Sequence, residues 1–389
     1  MGVAPAKPIA SVPHNETDFM PRLPGLDLLR AIAVVWVMLF HSFLVGGLGP
    51  DFRWLERYGW MGVDIFFVLS GFLICRQVLA PLARGERLSF GDFYARRAWR
   101  ILPAFVVVLA IYLAFPQWRE AEGLAPWWLF GTFTFNLFVD YGTQQAFSHA
   151  WSLCVEEHFY LLFPALAVFM TKRPSVAKFA GLCVFVIVAG IAIRAGTWLH
   201  DDATQPQRPW FVEDLYYPTW CRLDGLLAGV VLAVIAAFRP ATWERMLARG
   251  NAFLALGLIG MALAFWLFQQ RTGLMGNAIG WPVLSWAIAS MVIAGASPNS
   301  LIGRRALPGA AWIATISYSL YLSHKLVFAA VDRHWGDALW EHGFARFAVF
   351  ALATLAAGAA LHYAVERPFL RLRERRRDAA RLRTAEAAA

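Results

Sequence analysis

Long apolar runs recur along almost the whole chain, and they limit its fold more than any other feature. A helix needs about 20 consecutive apolar residues to cross a bilayer, whereas barrel strands alternate over about ten residues. Of the 389 residues, 59% are hydrophobic and 16% are charged, against about 45–50% and about 25% in soluble domains. The sequence therefore predicts an all-α, polytopic helical membrane bundle. The apolar runs lie near 26–45, 59–79, 101–116, 125–140, 151–171, 177–197, 220–238, 252–268, 277–297, 309–331 and 343–365.

The charge of the connecting loops predicts which of these runs cross the membrane. The basic segments are the loops 80–100, 172–178, 239–250 and 303–305, and the part of the chain after Glu366. They all face the cytoplasm, as the positive-inside rule requires, only if the run 125–140 does not cross. That run is short, aromatic and interrupted by Gly131 and Asn136, which favours a re-entrant or interfacial segment. We therefore expect about ten spans with both termini in the cytoplasm.

The net charge of +9 does not require a nucleic-acid partner, because positive-inside loops produce the same excess. We expect membrane lipids as the surroundings and a single membrane domain over residues 25–370, in the inner membrane of the cell. Residues 1–24 lack the apolar core of a signal peptide and are expected to form a disordered cytoplasmic lead. Residues 371–389 are expected to form a basic cytoplasmic tail.

Arg30 and His41 are ionisable residues inside the first apolar run. A charged residue inside a membrane span costs roughly 2.5–3.5 kcal/mol on insertion scales, so it suggests a functional site. At about 100° and 1.5 Å per residue, the two side chains share one helix face and lie roughly 16 Å apart along the axis. One face then holds a cation near the cytoplasm and a titratable imidazole in the outer half. An interhelical hydrogen bond is the structural alternative for His41.

Other ionisable residues are expected at the depth of His41. Asp64 and Glu156 lie on spans that enter from outside, and His324 lies in the outer half of the ninth span. An imidazole that a carboxylate orients can take a proton from a hydroxyl, so Asp64 and Glu156 are both candidate partners of His41. A hydrogen bond between helices explains Asp64 without catalysis. No known nucleophile-elbow, zinc, Walker or dinucleotide-binding motif is present, and we expect no metal and no bound cofactor.

A pair of arginines precedes the third span, in the segment FYARRAWRILPAF. Arg97 and Arg100 are three residues apart, so they share one face of a helix. Two guanidiniums on one face can clamp phosphates, and Arg30 faces the same compartment. A phosphorylated cytoplasmic donor such as an acyl-coenzyme A fits this arrangement. Positive-inside anchoring explains the same two arginines equally well.

Six segments, in order along the chain, resemble motifs of the acyltransferase 3 family of multi-span membrane acyltransferases. LDLLRAIAVVWVMLFH resembles the family's basic residue and His, separated by ten residues, at Arg30 and His41. GVDIFFVLSGFLI resembles its second-helix signature, and FYARRAWRILP resembles its Arg-x-x-Arg motif. WSLCVEEHFYLLFP resembles its Trp-Ser-Leu-x-x-Glu motif, at Trp151, Ser152 and Glu156. ISYSLYLSHKLV and VERPF resemble its closing elements, so the resemblance covers about 23–370.

The resemblance implies an enzyme that moves an acyl group, commonly acetyl, from a cytoplasmic acyl-CoA-type donor to a hydroxyl. The acceptor would be a sugar, a cell-envelope glycan or a lipid-linked molecule. The resemblance also implies that the motif His, here His41, is essential, and that Arg30, Arg97 and Arg100 lie near the donor. Direct transfer and a covalent acyl-His intermediate both stay open. The further site candidates from the matched motifs are Trp151, Ser152 and His324.

A proton-coupled transporter or exporter is the rival function, since Arg30, His41 and the carboxylates also suit a proton relay. That function leaves the Arg-x-x-Arg and Trp-Ser-Leu-x-x-Glu motifs unexplained. The two functions differ in what they consume, because an acyltransferase uses up a thioester whereas a transporter moves its substrate without an acyl donor.

Overall fold

The computed structural model describes residues 23–49, 52–339 and 343–388, and within these ranges the chain is a bundle of helices without a β-sheet. The helices are α1 (Pro24–Phe40), α2 (Arg53–Tyr58), α3 (Gly62–Ala83), α4 (Phe90–Ala114), α5 (Trp127–Gly131), α6 (Phe135–Phe138), α7 (Trp151–Lys172), α8 (Val176–Thr204), α9 (Leu223–Phe238), α10 (Pro240–Ala248), α11 (Gly250–Leu267), α12 (Trp281–Ala296), α13 (Ala310–Leu339), α14 (Gly343–Leu361) and α15 (Arg367–Ala388). The predicted all-α class is confirmed. The predicted lead, residues 1–24, lies outside the described residues except for its last two.

Eight helical segments of the described chain are long and apolar enough to cross a membrane, judged by length and composition. A ninth candidate is the pair α9 and α10, whose axes differ by 114°. The tenth apolar run of the sequence, 309–331, lies in α13, which is 30 residues long and is not among these candidates. The multi-pass helical bundle is therefore confirmed, while the count of ten spans and the side of each terminus stay predictions.

The aromatic run 125–140 does not form a continuous helix. It contains α5 and α6, of five and four residues, which are too short to cross a bilayer. Phe133 joins them in the left-handed conformation, with φ of 55°, and its ring stacks on Phe105 of α4 at 5.0 Å between ring centres. Asn136 donates hydrogen bonds to the Tyr217 carbonyl and to the Thr219 hydroxyl (3.1 and 2.9 Å). The segment thus packs against the bundle instead of spanning it, in agreement with the prediction.

Local signals fix where the motif-bearing helices begin and end. Pro24 opens α1, where its missing N–H has no cost, and the helix tightens into a 3₁₀ turn at His41–Val45. Gly46, with φ of 87°, ends that turn. The hydroxyl of Ser89 accepts a hydrogen bond from the Asp92 N–H (3.3 Å) and caps α4. His41 therefore lies at the end of its span, and the arginine pair lies in the first turns of α4.

The inner helices of the bundle approach closely. Gly71 of α3 and Gly229 of α9 lie against each other's helices, where a Cβ atom would overlap main-chain atoms of the partner. α13 packs between α1 and α14. The first span and α13 run in the same direction, since His41 meets His324 and, further along both, Val45 packs with Phe328 and Val331. These two parallel helices, α1 and α13, carry Arg30 and His324, and His41 follows α1 directly.

Candidate active site

Three histidines from three separate elements form a cluster, which we call the histidine cluster (His41, His149 and His324). Nε2 of His324 lies 3.0 Å from Nδ1 of His41, and their ring centres are 4.9 Å apart. The ring of His149 lies 4.9 Å from that of His324 and 6.5 Å from that of His41. His149 and His324 are buried, and His41 is partly exposed. No group of three or more His, Cys, Asp or Glu side chains in the described ranges is arranged to hold a metal ion.

A buried polar network holds His149, the third member of the histidine cluster, against α13. His149 lies in the short turn before α7 and its Nε2 donates to the Leu322 carbonyl (3.1 Å). The ammonium of Lys325 donates to the hydroxyl of Ser148 at 2.8 Å and pairs with Glu120 at 3.2 Å. Lys325 thus joins α13 to the turn that carries His149, and its buried charge is compensated by the ion pair with Glu120.

A second feature is a cavity of about 130 Å³ between α1, α3, α4, α7 and α13, which we call the arginine cavity. Its polar lining residues are Arg30, Ser70, Arg97, Arg100, Ser152, Glu156, Tyr160, Ser317, Tyr318 and Tyr321. The structure thus brings together the three arginines that the sequence predicts near a donor. Three cations around one opening make a site that favours a multiply charged anion.

The cavity arginines keep part of their hydrogen-bonding capacity free. The guanidinium carbon of Arg97 lies 4.1 Å from the ring centre of Tyr160, and its Nε has no hydrogen-bond partner among the described residues. Arg100 contacts the buried carboxylate of Glu366 at 3.3 Å, and that carboxylate also accepts from Ser319 at 2.9 Å. The Tyr160 ring therefore positions Arg97 and the Glu366 carboxylate positions Arg100 at the cavity wall.

Ser152 and Tyr321 separate the arginine cavity from the histidine cluster. Both residues line the cavity, and their hydroxyl oxygens are 2.6 Å apart. The Tyr321 hydroxyl lies 2.9 Å from the carbonyl of His149, and its ring lies 5.9 Å from that of His324. One turn of α13 thus separates Tyr321, at the cavity wall, from His324 in the histidine cluster. A group that moves between the two features passes this pair of hydroxyls.

The two carboxylates that the sequence offers as partners of His41 have other partners. Asp64 is buried and pairs with Arg222 at 2.8 Å. Glu156 accepts a hydrogen bond from Ser70 and lines the arginine cavity. Within the described residues, the hydrogen-bond partners of the His41 ring nitrogens are the Val37 carbonyl and His324. The expectation that a carboxylate orients His41 is therefore not met by this geometry, because both carboxylates are engaged on other helices.

Trp151 lies in an aromatic group outside the cavity and stacks on Tyr217, with 5.1 Å between ring centres. Its ring and that of Trp281 enclose the guanidinium of Arg222, at 5.1 and 3.6 Å. This placement indicates that Trp151 packs around an ion pair. Sequence reasoning missed Arg222, although an arginine at the start of an apolar run is a visible signal.

Sequence reasoning also missed His149 and Tyr321. His149 stands three residues before the motif serine Ser152, so its position beside a matched motif was the available signal. Tyr321 lies in the matched segment ISYSLYLSHKLV, three residues before His324, and therefore on the same helix face. Their contact with each other depends on how α7 and α13 pack.

A family model described as an acyltransferase domain matches residues 23–363, which is most of the chain. The chain belongs to the acyltransferase 3 family. The identification made from the motifs is confirmed, and with it the enzyme class. No solved structure matches the chain.

Curated relatives carry consistent names. An O-acetyltransferase OatA of Staphylococcus aureus is 28% identical over 82% of this chain and 53% of its own length. A peptidoglycan O-acetyltransferase OatA of Listeria monocytogenes is 29% identical over 78% of this chain and 49% of its own. A putative peptidoglycan O-acetyltransferase YrhL of Bacillus subtilis is 27% identical over 85% and 52%. The chain thus spans about half the length of these relatives.

Proposed function

We propose that this protein is an inner-membrane O-acyltransferase that moves an acetyl group from cytoplasmic acetyl-CoA to a hydroxyl of a cell-envelope carbohydrate. One observation carries the proposal. The arginine cavity and the histidine cluster occupy successive levels of the same two parallel helices, α1 and α13. A site for a polyanion thus adjoins a site for proton transfer along one path, which is what a two-substrate transfer across a membrane requires.

The donor would bind in the arginine cavity. Arg30, Arg97 and Arg100 supply planar donors that suit phosphate oxygens, and the buried Nε of Arg97 has no hydrogen-bond partner among the described residues. Arg30 and His41 are roughly 16 Å apart along the helix, a gap that an extended pantetheine arm can cross. The thioester would then pass Ser152 and Tyr321 to reach His41.

The reaction at His41 balances without a metal or a redox step. In direct transfer, the imidazole takes the proton of the acceptor hydroxyl while the hydroxyl oxygen attacks the thioester carbon. The new C–O bond replaces the C–S bond, and the departing thiolate receives the proton back from the imidazole. The alternative, in which the imidazole first carries the acyl group, uses the same nitrogen.

The names of the relatives support the acceptor class. Two of the three relatives are named for peptidoglycan, a glycan of the cell envelope. His41 lies at the end of its span that the loop charges assign to the outer side, where such a glycan is accessible. We therefore extend the proposal to a glycan hydroxyl presented from outside, with lipid-linked sugars as the second acceptor type to assay.

The test uses the purified full chain in liposomes, with acetyl-CoA labelled in the acetyl group and peptidoglycan fragments as acceptor. The wild type is expected to transfer label to the glycan, and His41→Asn to lose at least about a hundredfold in rate, since general base catalysis contributes about 10²–10⁴-fold. His334→Gln is the control, because His334 is exposed and its Nδ1 donates to the Ala330 carbonyl of its own helix (2.7 Å). Equal transfer by wild type and His41→Asn would refute the proposal. Movement of unmodified substrate without thioester consumption would indicate the transporter instead.

A further inference from the structure

The rings of His41 and His324 each face a main-chain carbonyl as well as each other. Nδ1 of His41 lies 3.0 Å from the Val37 carbonyl oxygen and 3.0 Å from Nε2 of His324. Nδ1 of His324 lies 2.8 Å from the Tyr321 carbonyl oxygen. Carbonyl oxygens only accept hydrogen bonds, so the carbonyls assign the proton positions on both rings.

The assignment leaves one arrangement. Each Nδ1 faces a carbonyl and therefore carries a proton. Nε2 of neutral His324 is then an acceptor, and the Nδ1–H of His41 donates to it and to the Val37 carbonyl together. The Nε2 of His41 is consequently unprotonated, with its lone pair available. A second proton on His324 would set two N–H groups against each other, so the contact also requires His324 to be neutral.

We propose that His324 is the positioning residue of His41, in the place where a carboxylate was expected. This inference rests on the proposed function, since it assigns His41 Nε2 as the base. When His41 accepts the proton of the acceptor, its Nδ1–H remains donated to His324 and to Val37, so the imidazolium is stabilised without turning. A neutral partner suits a membrane interior, where an additional charge would be costly to bury.

The other charged and titratable groups around the pair have partners of their own, except for Nδ1 of His149, which has none among the described residues. Lys325, the neighbour of His324 on α13, pairs with Glu120 and donates to Ser148. The Nε2 of His149 donates to the Leu322 carbonyl, and its ring stands 6.5 Å from that of His41. Among the described side chains, His324 is thus the one that holds a ring nitrogen of His41.

Two amides of different length separate the functions of the two nitrogens of His324. Glutamine places its carbonyl oxygen about where His324 has Nε2, so His324→Gln can still accept from His41. Asparagine places its amide about where His324 has Nδ1, so His324→Asn can bind only the Tyr321 carbonyl. We expect His324→Gln to keep kcat within about tenfold of wild type, and His324→Asn to lose at least about a hundredfold.

The KM for acetyl-CoA should stay near the wild-type value in both variants, because His324 does not line the arginine cavity. Thr354→Val is the packing control: Thr354 is buried in the neighbouring α14, and its hydroxyl donates to the Phe350 carbonyl of its own helix (2.7 Å). Equal rates for the Gln and Asn variants, or a loss that appears mainly in KM, would overturn the inference.

A second measurement needs no variant at His324. Nitrogen NMR of the ¹⁵N-histidine-labelled wild type in lipid reports which ring nitrogen carries the proton, and the His41 signal is identified by its absence in His41→Asn. The Nδ1–H form is expected, and the Nε2–H form would overturn the inference. The two hypotheses fail separately: normal transfer by His41→Asn refutes the function, whereas an Nε2–H tautomer in an enzyme that needs His41 refutes only the positioning.

Discussion

Arg194 and Arg97 both lie within helices of the bundle, yet their surroundings differ. Arg194 is 0% exposed and pairs with Asp224 at 2.7 Å. Its remaining hydrogen bonds go to the main-chain carbonyls of Cys221, Asn277 and Ala278. Arg97 lines a cavity and has an unpartnered Nε. We infer that a charged residue within the bundle suggests a ligand site when it lines a cavity and part of its hydrogen-bonding capacity has no protein partner.

The histidine and carboxylate positions divide in the same way. Asp64 is buried against Arg222, with its Oδ2 unpartnered among the described residues, whereas His41 is partly exposed and its Nε2 has no hydrogen-bond partner there. The sequence shows both as ionisable residues at a similar expected depth. The difference lies in exposure, since Asp64 is buried against an oppositely charged partner and His41 is partly open.

Removal of a saturated arginine should have the largest effect on stability. Arg194→Leu leaves Asp224 buried without its partner, and breaking a buried pair from one side costs about 3–5 kcal/mol. We expect a strongly lowered melting temperature of the detergent-purified protein. The double variant Arg194→Leu, Asp224→Leu should recover much of that loss, because no uncompensated charge remains. A single variant as stable as wild type would contradict the structural assignment of Arg194.

Removal of an open arginine should affect the donor instead. Arg97→Gln is expected to raise the KM for acetyl-CoA about tenfold to a hundredfold, since a hydrogen bond to a charged group contributes about 1.5–3 kcal/mol. The melting temperature should stay close to that of wild type. Arg96→Gln is the matched control, because Arg96 is the preceding residue of α4 and does not line the cavity. An equal rise in KM for both variants would show that Arg97 contributes only general positive charge and does not bind the donor specifically.

The smallest effect on the reaction is expected at Asp64. Asp64→Asn keeps an oxygen that can accept from Arg222, so transfer should fall by less than about tenfold, or about 1.4 kcal/mol. Steady-state rates at saturating donor and acceptor measure this. Loss of transfer in a variant that melts normally would instead make Asp64 a catalytic carboxylate.

The sequence predicted those parts of the site that depend on one helix at a time. The spacing of Arg97 and Arg100 and the shared face of Arg30 and His41 follow from helical geometry, and both sets appear where expected. The helical class follows equally from the apolar runs, because the membrane leaves the backbone few alternatives.

The pairing between helices could not be predicted. Asp64 and Arg222 are 158 residues apart, and His41 and His324 are 283 residues apart. Which side chains meet depends on the rotation and register of packed helices, and close contacts such as Gly71 against α9 set these. For this reason a carboxylate was expected beside His41, where the structure has an imidazole.

We propose that donor binding and chemistry occupy separate levels of α1 and α13. Equilibrium binding of acetyl-CoA to His41→Asn tests this claim most directly, combined with a transfer assay on the same preparation. We expect a dissociation constant close to that of wild type and no transfer to the glycan. Loss of donor binding in this variant, or transfer at the wild-type rate, would contradict it.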